Sequence, residues 1–273
     1  MMFANIGTDI QGICNRFSGK VGIAVKALNS KESFVLNGHL VFPAASTIKI
    51  YILLELFNQI NQGKHKLNEY VTIAEDRRGE VWSRMSSGIL KDTESIKQIT
   101  LKDAATLMMV VSDNVATNLL IDLLCMEMIQ NSIDKLGLEN TKLQRKMMDL
   151  ESAKSGRENV STPYDMMITF EKIAGTEIPD TNTRAMILDI LSRTQTEPGL
   201  RMVIPESVTI EHKTGEIFDV CNDVGIVRLP RDPFVICVMT KGETLAKRWD
   251  TIAQIGKTFF DHLSSASERK IAA

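Results

Sequence analysis

The sequence predicts an α+β protein, an α/β sandwich with a helical lobe, built on a five-stranded antiparallel sheet flanked by helices. Three observations carry that prediction. Runs rich in β-branched residues occur only near the two ends of the chain. The middle, from about 66 to 203, is dominated by apolar residues at helical spacing. Amphipathic helical patterns stand next to both sets of strands, where they would cover a sheet face.

The elements follow in order. Phe3, Ile6, Ile10, Ile13 and Phe17 fall on one side of a helix over 3–17. Val21 to Leu28 reads as a strand, Asn29-Ser30-Lys31-Glu32 as a turn, and Ser33 to Leu36 as the returning strand of a hairpin. Asn37-Gly38 ends it, and Pro43 closes an extended segment. From Ser46 the pattern turns helical, with Ile48, Ile50, Leu53, Leu54 and Phe57 predicting a mostly buried helix over 46–62. Thr100-Leu101-Lys102-Asp103 is a capping box opening a helix to about Val111, and a second run spans Val115 to Leu124. Thr162 as N-cap, Pro163 at the first helical position and Asp165 at N3 open a helix to Gly175; another covers about 181–193. Three strands return: Ser207–Lys213, Val224–Leu229 and Phe234–Met239, the last two joined at Arg231-Asp232-Pro233. An amphipathic helix over about Leu245–Leu263 and a polar tail close the chain. The layout is therefore discontinuous: residues 1–44 with 205–273 form the sheet domain and 45–204 the helical one, with an active site expected in the cleft between them.

Composition narrows the function classes. A chain of 273 residues, 44% of them apolar, has enough material for a sizeable core. A formal charge of −2 gives no basic footprint for nucleic acid or an anionic membrane. No apolar stretch approaches the roughly 20 residues that span a bilayer. Met1-Met2-Phe3-Ala4-Asn5-Ile6-Gly7 is no signal peptide, so the expected compartment is the cytoplasm unless an export signal has been removed. Cys14, Cys125, Cys221 and Cys237 match no metal or redox spacing and are expected to be reduced and mostly buried. His39, His65, His212 and His262 are scattered, so no metal and no other cofactor is expected. Nothing marks an obligate interface, and a monomer is expected.

Three motifs carry chemistry. In Ser46-Thr47-Ile48-Lys49, positions i and i+3 share a helix face, so a lysine lies one turn from a serine. A serine hydroxyl is a poor nucleophile unless a base takes its proton, and burial can lower a lysine's pKa far enough for that task. Alone the motif is weak, because a capping serine beside a solvated lysine is commoner. Ser112-Asp113-Asn114 falls at a break between two apolar helical runs, which is either a helix-to-helix turn or a polar cluster aimed into a cleft. Lys213-Thr214-Gly215 ends an alternating strand. Lys213 and Gly215 then share one face, His212 points to the other and drops out as a triad histidine, and the glycine allows close approach to the backbone.

Taken together and in this order, the motifs resemble the S-x-x-K, S-D-N and K-T-G set of class A β-lactamases and the related penicillin-binding serine peptidases. The likeness covers essentially the whole chain, including Phe42-Pro43-Ala44-Ala45-Ser46, Val111 through Leu120, Ser161-Thr162-Pro163 and His212-Lys213-Thr214-Gly215. The resemblance implies the β-lactamase/D,D-peptidase fold and the following roles. Ser46 attacks the amide carbonyl, and Lys49 is its base or part of the proton relay. Ser112 carries the proton to the departing nitrogen, and Asn114 binds a substrate amide carbonyl. Lys213 and Thr214 hold the substrate carboxylate, with Gly215 beside them. The backbone N–H groups of Ser46 and Glu216 form the oxyanion hole. The implied partner is a small-molecule β-lactam or an acyl-peptide.

Two departures stand out. Glu216 occupies a place where the family more often has a small residue. In the segment Leu143 to Glu151, aligning Arg145 with the family's loop arginine puts Met147 where a glutamate activates the deacylating water, and a thioether accepts no proton. The loop is about one residue short. Asp149 and Glu151 are the nearby carboxylates that would have to substitute as the deacylation base. Leu53 and Ala105 stand at the family's usual disulfide positions. Three readings stay open: a β-lactamase with slow deacylation; a D,D-peptidase, penicillin-binding protein or small-substrate esterase; and a sensor acylated once.

Overall fold

The computed structural model describes Phe3 and residues 6–75, 86–175, 177, 180–196 and 198–269. Residues 4 and 5 of the expected first helix, 76–85 of the helical middle and the end of the polar tail lie outside the described residues. The chain divides into two compact units: Met1–Thr47 with Ser161–Pro179 and Glu197–Ala273, and Ile48–Val160 with Asp180–Thr196.

The first unit is built on the expected sheet. Its strands are β1 (Lys20–Ala27), β2 (Ser33–Leu36), β7 (Ile210–Ile217), β8 (Val220–Val227) and β9 (Phe234–Lys241), in the order β2-β1-β9-β8-β7 with antiparallel neighbours. Helices α1 (Gly7–Asn15) and α9 (Leu245–Arg269) cover one face. Phe3, Ile10, Trp249, Ile252 and Phe259 pack there with Val21, Ile23, Ile236 and Val238 of the strands. Gly22 points to the other face, where a Cβ would lie 2.8 Å from Pro163. Pro163 opens helix α7 (Pro163–Ala174), which packs on β1, β8 and β9. Thr162 caps α7 as expected, accepting from the Asp165 N–H at 3.0 Å. The short strands β3 (Phe42–Pro43) and β6 (Val160–Ser161) precede Ser46 and α7.

In the second unit, α2 (Lys49–Asn61), α3 (Leu101–Val110), α4 (Asn114–Leu124), α5 (Met126–Lys135) and α8 (Thr181–Ser192) pack together, with a short α6 (Leu150–Lys154) in the loop after α5. Thr100 caps α3 through Asp103. The sequence pattern overlooks one feature: β4 (Tyr70–Thr72) pairs with β5 (Gln98–Thr100). Strands of three residues are too short for their alternation to stand out from a helical background. Among the described residues no helix is long and apolar enough to cross a membrane.

Three boundaries differ from expectation for physical reasons. The helix expected from Ser46 begins as a 3₁₀ turn, Ala45–Ile48, and becomes α-helical only at Lys49. β7 starts three residues late and runs through Lys-Thr-Gly, so that motif is mid-strand. β8 starts four residues early, because Cys221, Asn222 and Asp223 are buried in the sheet despite their polarity. Asn222 donates to the carbonyls of Pro43 and Ala44 at 3.0 and 3.1 Å. Asp223 accepts from the Leu200 N–H and pairs with His212, each at 2.8 Å. Of the cysteines, all free, Cys221 and Cys237 are buried and Cys14 is half-buried, but Cys125 is exposed. It interrupts the α4–α5 junction at φ +68°, so its side chain cannot follow either helix into the core.

Candidate active site

Ser46 is half-buried in its 3₁₀ turn and does not cap α2; the cap position is Ile48, with no side-chain acceptor. The commonest structural use of a serine at a helix start is thereby removed. The segment leading to it is held firmly. Ala44 O accepts from Thr47 N at 3.1 Å, from Thr47 Oγ1 at 2.6 Å and from Asn222. Ala45 sits at φ +48°. A non-glycine residue in that region costs on the order of 1–3 kcal/mol and persists where its surroundings enforce it.

The strand bearing Lys-Thr-Gly belongs to the same unit and comes close to this turn. A Cβ on Gly215 would lie 2.9 Å from Ala44 O and 3.1 Å from Ser46 N. Only a glycine permits that approach, and the residue after it is Glu216. β7 is the edge strand. Lys213 is wholly buried and donates to Thr214 O at 3.0 Å. Burial lowers its pKa to about 7, against an opposing pull from the Asp223 carboxylate. Thr214 is buried, whereas Glu216 is exposed and its Oε2 accepts from the Trp249 indole N–H at 3.1 Å. His212 Nδ1 is bound to Asp223 Oδ1.

The second unit supplies a side-chain cluster. Lys49, at the first position of α2, is completely buried, which is rare for a lysine. Its Nζ donates to Ser112 O at 2.8 Å, Ser112 Oγ at 3.0 Å and Asn114 Oδ1 at 2.8 Å. Because Ser112 Oγ accepts from Lys49, its own hydrogen is left to point elsewhere. Ser112 stands at φ +56°, a second strained residue in the site. Asp113 braces the turn. Its Oδ1 accepts from Ala116 N at 2.9 Å, capping α4, and its Oδ2 accepts from Ile89 N and Leu90 N at 2.7 and 2.8 Å. Asn114 Nδ2 gives a hydrogen to Ser86 Oγ at 3.0 Å.

One turn further along α4, Asn118 grips the backbone of Met147. Its Oδ1 accepts from Met147 N at 2.8 Å and its Nδ2 donates to Met147 O at 3.1 Å. Residues at i and i+4 share a helix face, so Met147 is held one turn along the face that carries Asn114. The loop around it is pinned at both ends. Asn159 Oδ1 accepts from Gln144 N and Arg145 N, and its Nδ2 donates to Arg145 O. The buried Arg145 guanidinium pairs with Glu158. Asp149 is occupied as the cap of α6, accepting from Ser152 N at 3.0 Å and from Ser152 Oγ at 2.7 Å. Those two bonds hold its carboxyl below the usual range. Glu151 is exposed on the first turn of α6.

Comparison with known proteins shows the family. The Beta-lactamase enzyme family matches residues 5–263. The chain belongs to that family. It is 25% identical to β-lactamase CARB-3 of Pseudomonas aeruginosa over 97% of this chain and 92% of that protein. PBP-A superposes with a TM-score of 0.87 at 30% identity, over 96% of this chain and 97% of its own. A substituted form of PBP-A, solved as an acyl-enzyme complex with penicillin G, gives 0.86 at 29% identity over the same shares. A β-lactamase from Sphaerobacter thermophilus gives 0.85 at 26%, over 95% and 97%. The fold and the family are therefore those the motifs announced. Residues the motifs do not name complete the framework: Ser86, Asn118, Asn159, Asn222 and Trp249. Of these only Asn118 carries a local signal, its i+4 spacing from Asn114.

Proposed function

We propose that the protein is a serine hydrolase of the class A β-lactamase type that acylates on Ser46 and releases the acyl group slowly. The observation that carries this reading is the buried Lys49 bound to Ser112 and Asn114, because a buried lysine held by the next two members of the motif set has no evident structural purpose. Once Lys49 has given up one of the three hydrogens it donates to Ser112 and Asn114, its lone pair takes the proton of Ser46 Oγ as that oxygen bonds to the β-lactam carbonyl carbon. The developing oxyanion is met by the N–H groups of Ser46 and Glu216. Ser112 gives its proton to the ring nitrogen as the amide C–N bond breaks and regains one from Lys49. Lys213 and Thr214 hold the substrate carboxylate, Asn114 holds the side-chain amide, and water then hydrolyses the ester.

The slow second step rests on Met147, which by the resemblance stands in place of the family's glutamate, while Asp149 is engaged in its cap and Glu151 is exposed. A carboxylate base is worth about 10²–10⁴-fold in rate. That same feature, with the likeness to PBP-A, favours a second reading in which the acyl donor is a peptide and the enzyme a D,D-peptidase. Incubation with penicillin G, followed by intact mass, tests both. A Ser46 ester that forms and decays with accumulating product supports the β-lactamase reading. A persistent ester together with peptide turnover supports the peptidase, and a persistent ester without it a sensor. Ser46→Ala abolishes the adduct; absence of any adduct on the unaltered protein sinks the covalent mechanism.

A further inference from the structure

Asn222 is a buried side chain that the three motifs do not name and that grips the turn carrying Ser46. It lies within β8, which pairs with β7 on one side and β9 on the other. It stands opposite Gly215 in the register of β7 and β8, so it shares Gly215's face of the sheet. The residue is wholly buried, and its Nδ2 donates to Pro43 O at 3.0 Å and to Ala44 O at 3.1 Å. Two carbonyl partners use both hydrogens of the amide nitrogen. Its Oδ1 is buried and meets no donor among the described residues. A buried acceptor without a partner costs free energy, so the side chain is present for its donors and in spite of its acceptor.

The two carbonyls it holds are the ones that steer Ser46. They belong to the peptide units on either side of Ala44, and the next unit, Ala45–Ser46, carries the Ser46 N–H. Ala45 is kept at φ +48°, a conformation that persists only while its surroundings enforce it. Rotation at Ala45 would swing the Ser46 N–H, so its direction depends on how firmly the preceding units are held. Thr47 N and Oγ1 hold Ala44 O from within the turn, at 3.1 and 2.6 Å. Asn222 holds it from the sheet. A Cβ on Gly215 would lie 2.9 Å from that same Ala44 O and 3.1 Å from Ser46 N. Glu216, whose N–H is the other donor of the oxyanion scheme, follows Gly215 directly. One amide thus stands across from the strand of one donor and grips the turn of the other.

We propose that Asn222 is a positioning residue for the oxyanion hole. By tying the Ser46 turn to the sheet opposite Gly215, it sets the direction of the Ser46 N–H and its spacing from the Glu216 N–H. This deepens the acyl-transfer reading above and rests on it. Asn222 touches no reacting atom. It acts through donors that must already point at the oxygen on which charge develops.

The test uses two variants and penicillin G. Asn222→Leu keeps most of the side chain's volume and removes both donors together with the orphaned acceptor. Asn222→Ser leaves one hydroxyl for two carbonyls. Two quantities are read: the rate of Ser46 acylation by intact mass, and the stretching frequency of the Ser46 ester carbonyl by infrared difference, with the β-lactam carbonyl isotope-labelled. Removing an oxyanion donor costs about 10²–10³-fold in rate and misdirecting one costs less, so Asn222→Leu is expected to slow acylation about tenfold. Its ester band is expected at higher frequency, because misdirected donors polarise the carbonyl less, with the band of Asn222→Ser in between. A role in stability alone would lower the denaturation midpoint and leave the band of the folded protein where it was. An ester band at the unaltered frequency in both variants therefore overturns this inference, whatever happens to the rate. If the leucine variant does not fold, the serine variant decides in the same way. No ester on the unaltered protein overturns the acyl-transfer reading and this inference with it.

Discussion

The turn around Ser112 leads into α4 at Asn114 and the loop around Met147 is gripped one turn later by Asn118, yet they are furnished in opposite ways. At the first, side chains meet side chains: Lys49 donates to both Ser112 and Asn114, and Asn114 donates to Ser86. At the second, the hydrogen bonding is equally thorough but serves only the backbone. Asn118 satisfies both polar groups of Met147, Asn159 closes the loop neck, and the side chain delivered at the centre is an unreactive thioether. The hydrogen bonds that hold this loop are thus separable from the side chain it presents.

Met147→Glu attacks that contrast most directly. The backbone bonds from Asn118 do not depend on the side chain, so the loop keeps its path and delivers a carboxylate one turn from Asn114. The lifetime of the penicillin ester is expected to shorten by about 10²–10⁴-fold, with the acylation rate changed little. Time-resolved intact mass reads both rates. An unchanged lifetime means that position 147 is not where the water is activated.

Asn118→Ala tests the scaffold instead. It leaves a buried N–H and a buried carbonyl of Met147 without their partners, a loss on the order of 2–3 kcal/mol. Chemical denaturation checks that figure. Acylation by penicillin stays within about threefold of the unaltered protein, because Lys49, Ser112 and Asn114 keep their own bonds. An equal loss in acylation would show that the two turns form one cooperative network.

The same contrast explains what the sequence disclosed. The candidate site residues lie in short local motifs, and helix caps such as Thr100 and Thr162 are equally local, because a cap needs only three or four neighbouring residues. That five antiparallel strands from the two ends of the chain share one sheet followed from where the β-branched runs fall, though their order did not. What stayed hidden depends on distant partners. Cys221-Asn222-Asp223 reads as a polar loop until Pro43, Ala44, Leu200 and His212 supply the matching hydrogen bonds. Ser46 reads as a cap until the chain is seen to wind as 3₁₀ before Lys49. Trp249 looks like core and nothing more, and its grip on Glu216 spans 33 residues.

Asp149 separates scaffold from chemistry at the finest scale. Its carboxylate caps α6 through Ser152, which holds its pKa down. A carboxyl with a depressed folded pKa stabilises the fold above its unfolded pKa and loses that contribution as pH falls through the folded value. Asp149→Ala is therefore expected to cost about 1 kcal/mol at neutral pH, and the gap from the unaltered protein should close below the ordinary carboxylate range. If the cap is its whole role, the ester lifetime does not change. Asp149→Asn preserves an acceptor for Ser152 N and should recover most of the stability. A substitution that shortens no helix and still lengthens the ester lifetime would instead make Asp149 the base that Met147 is not.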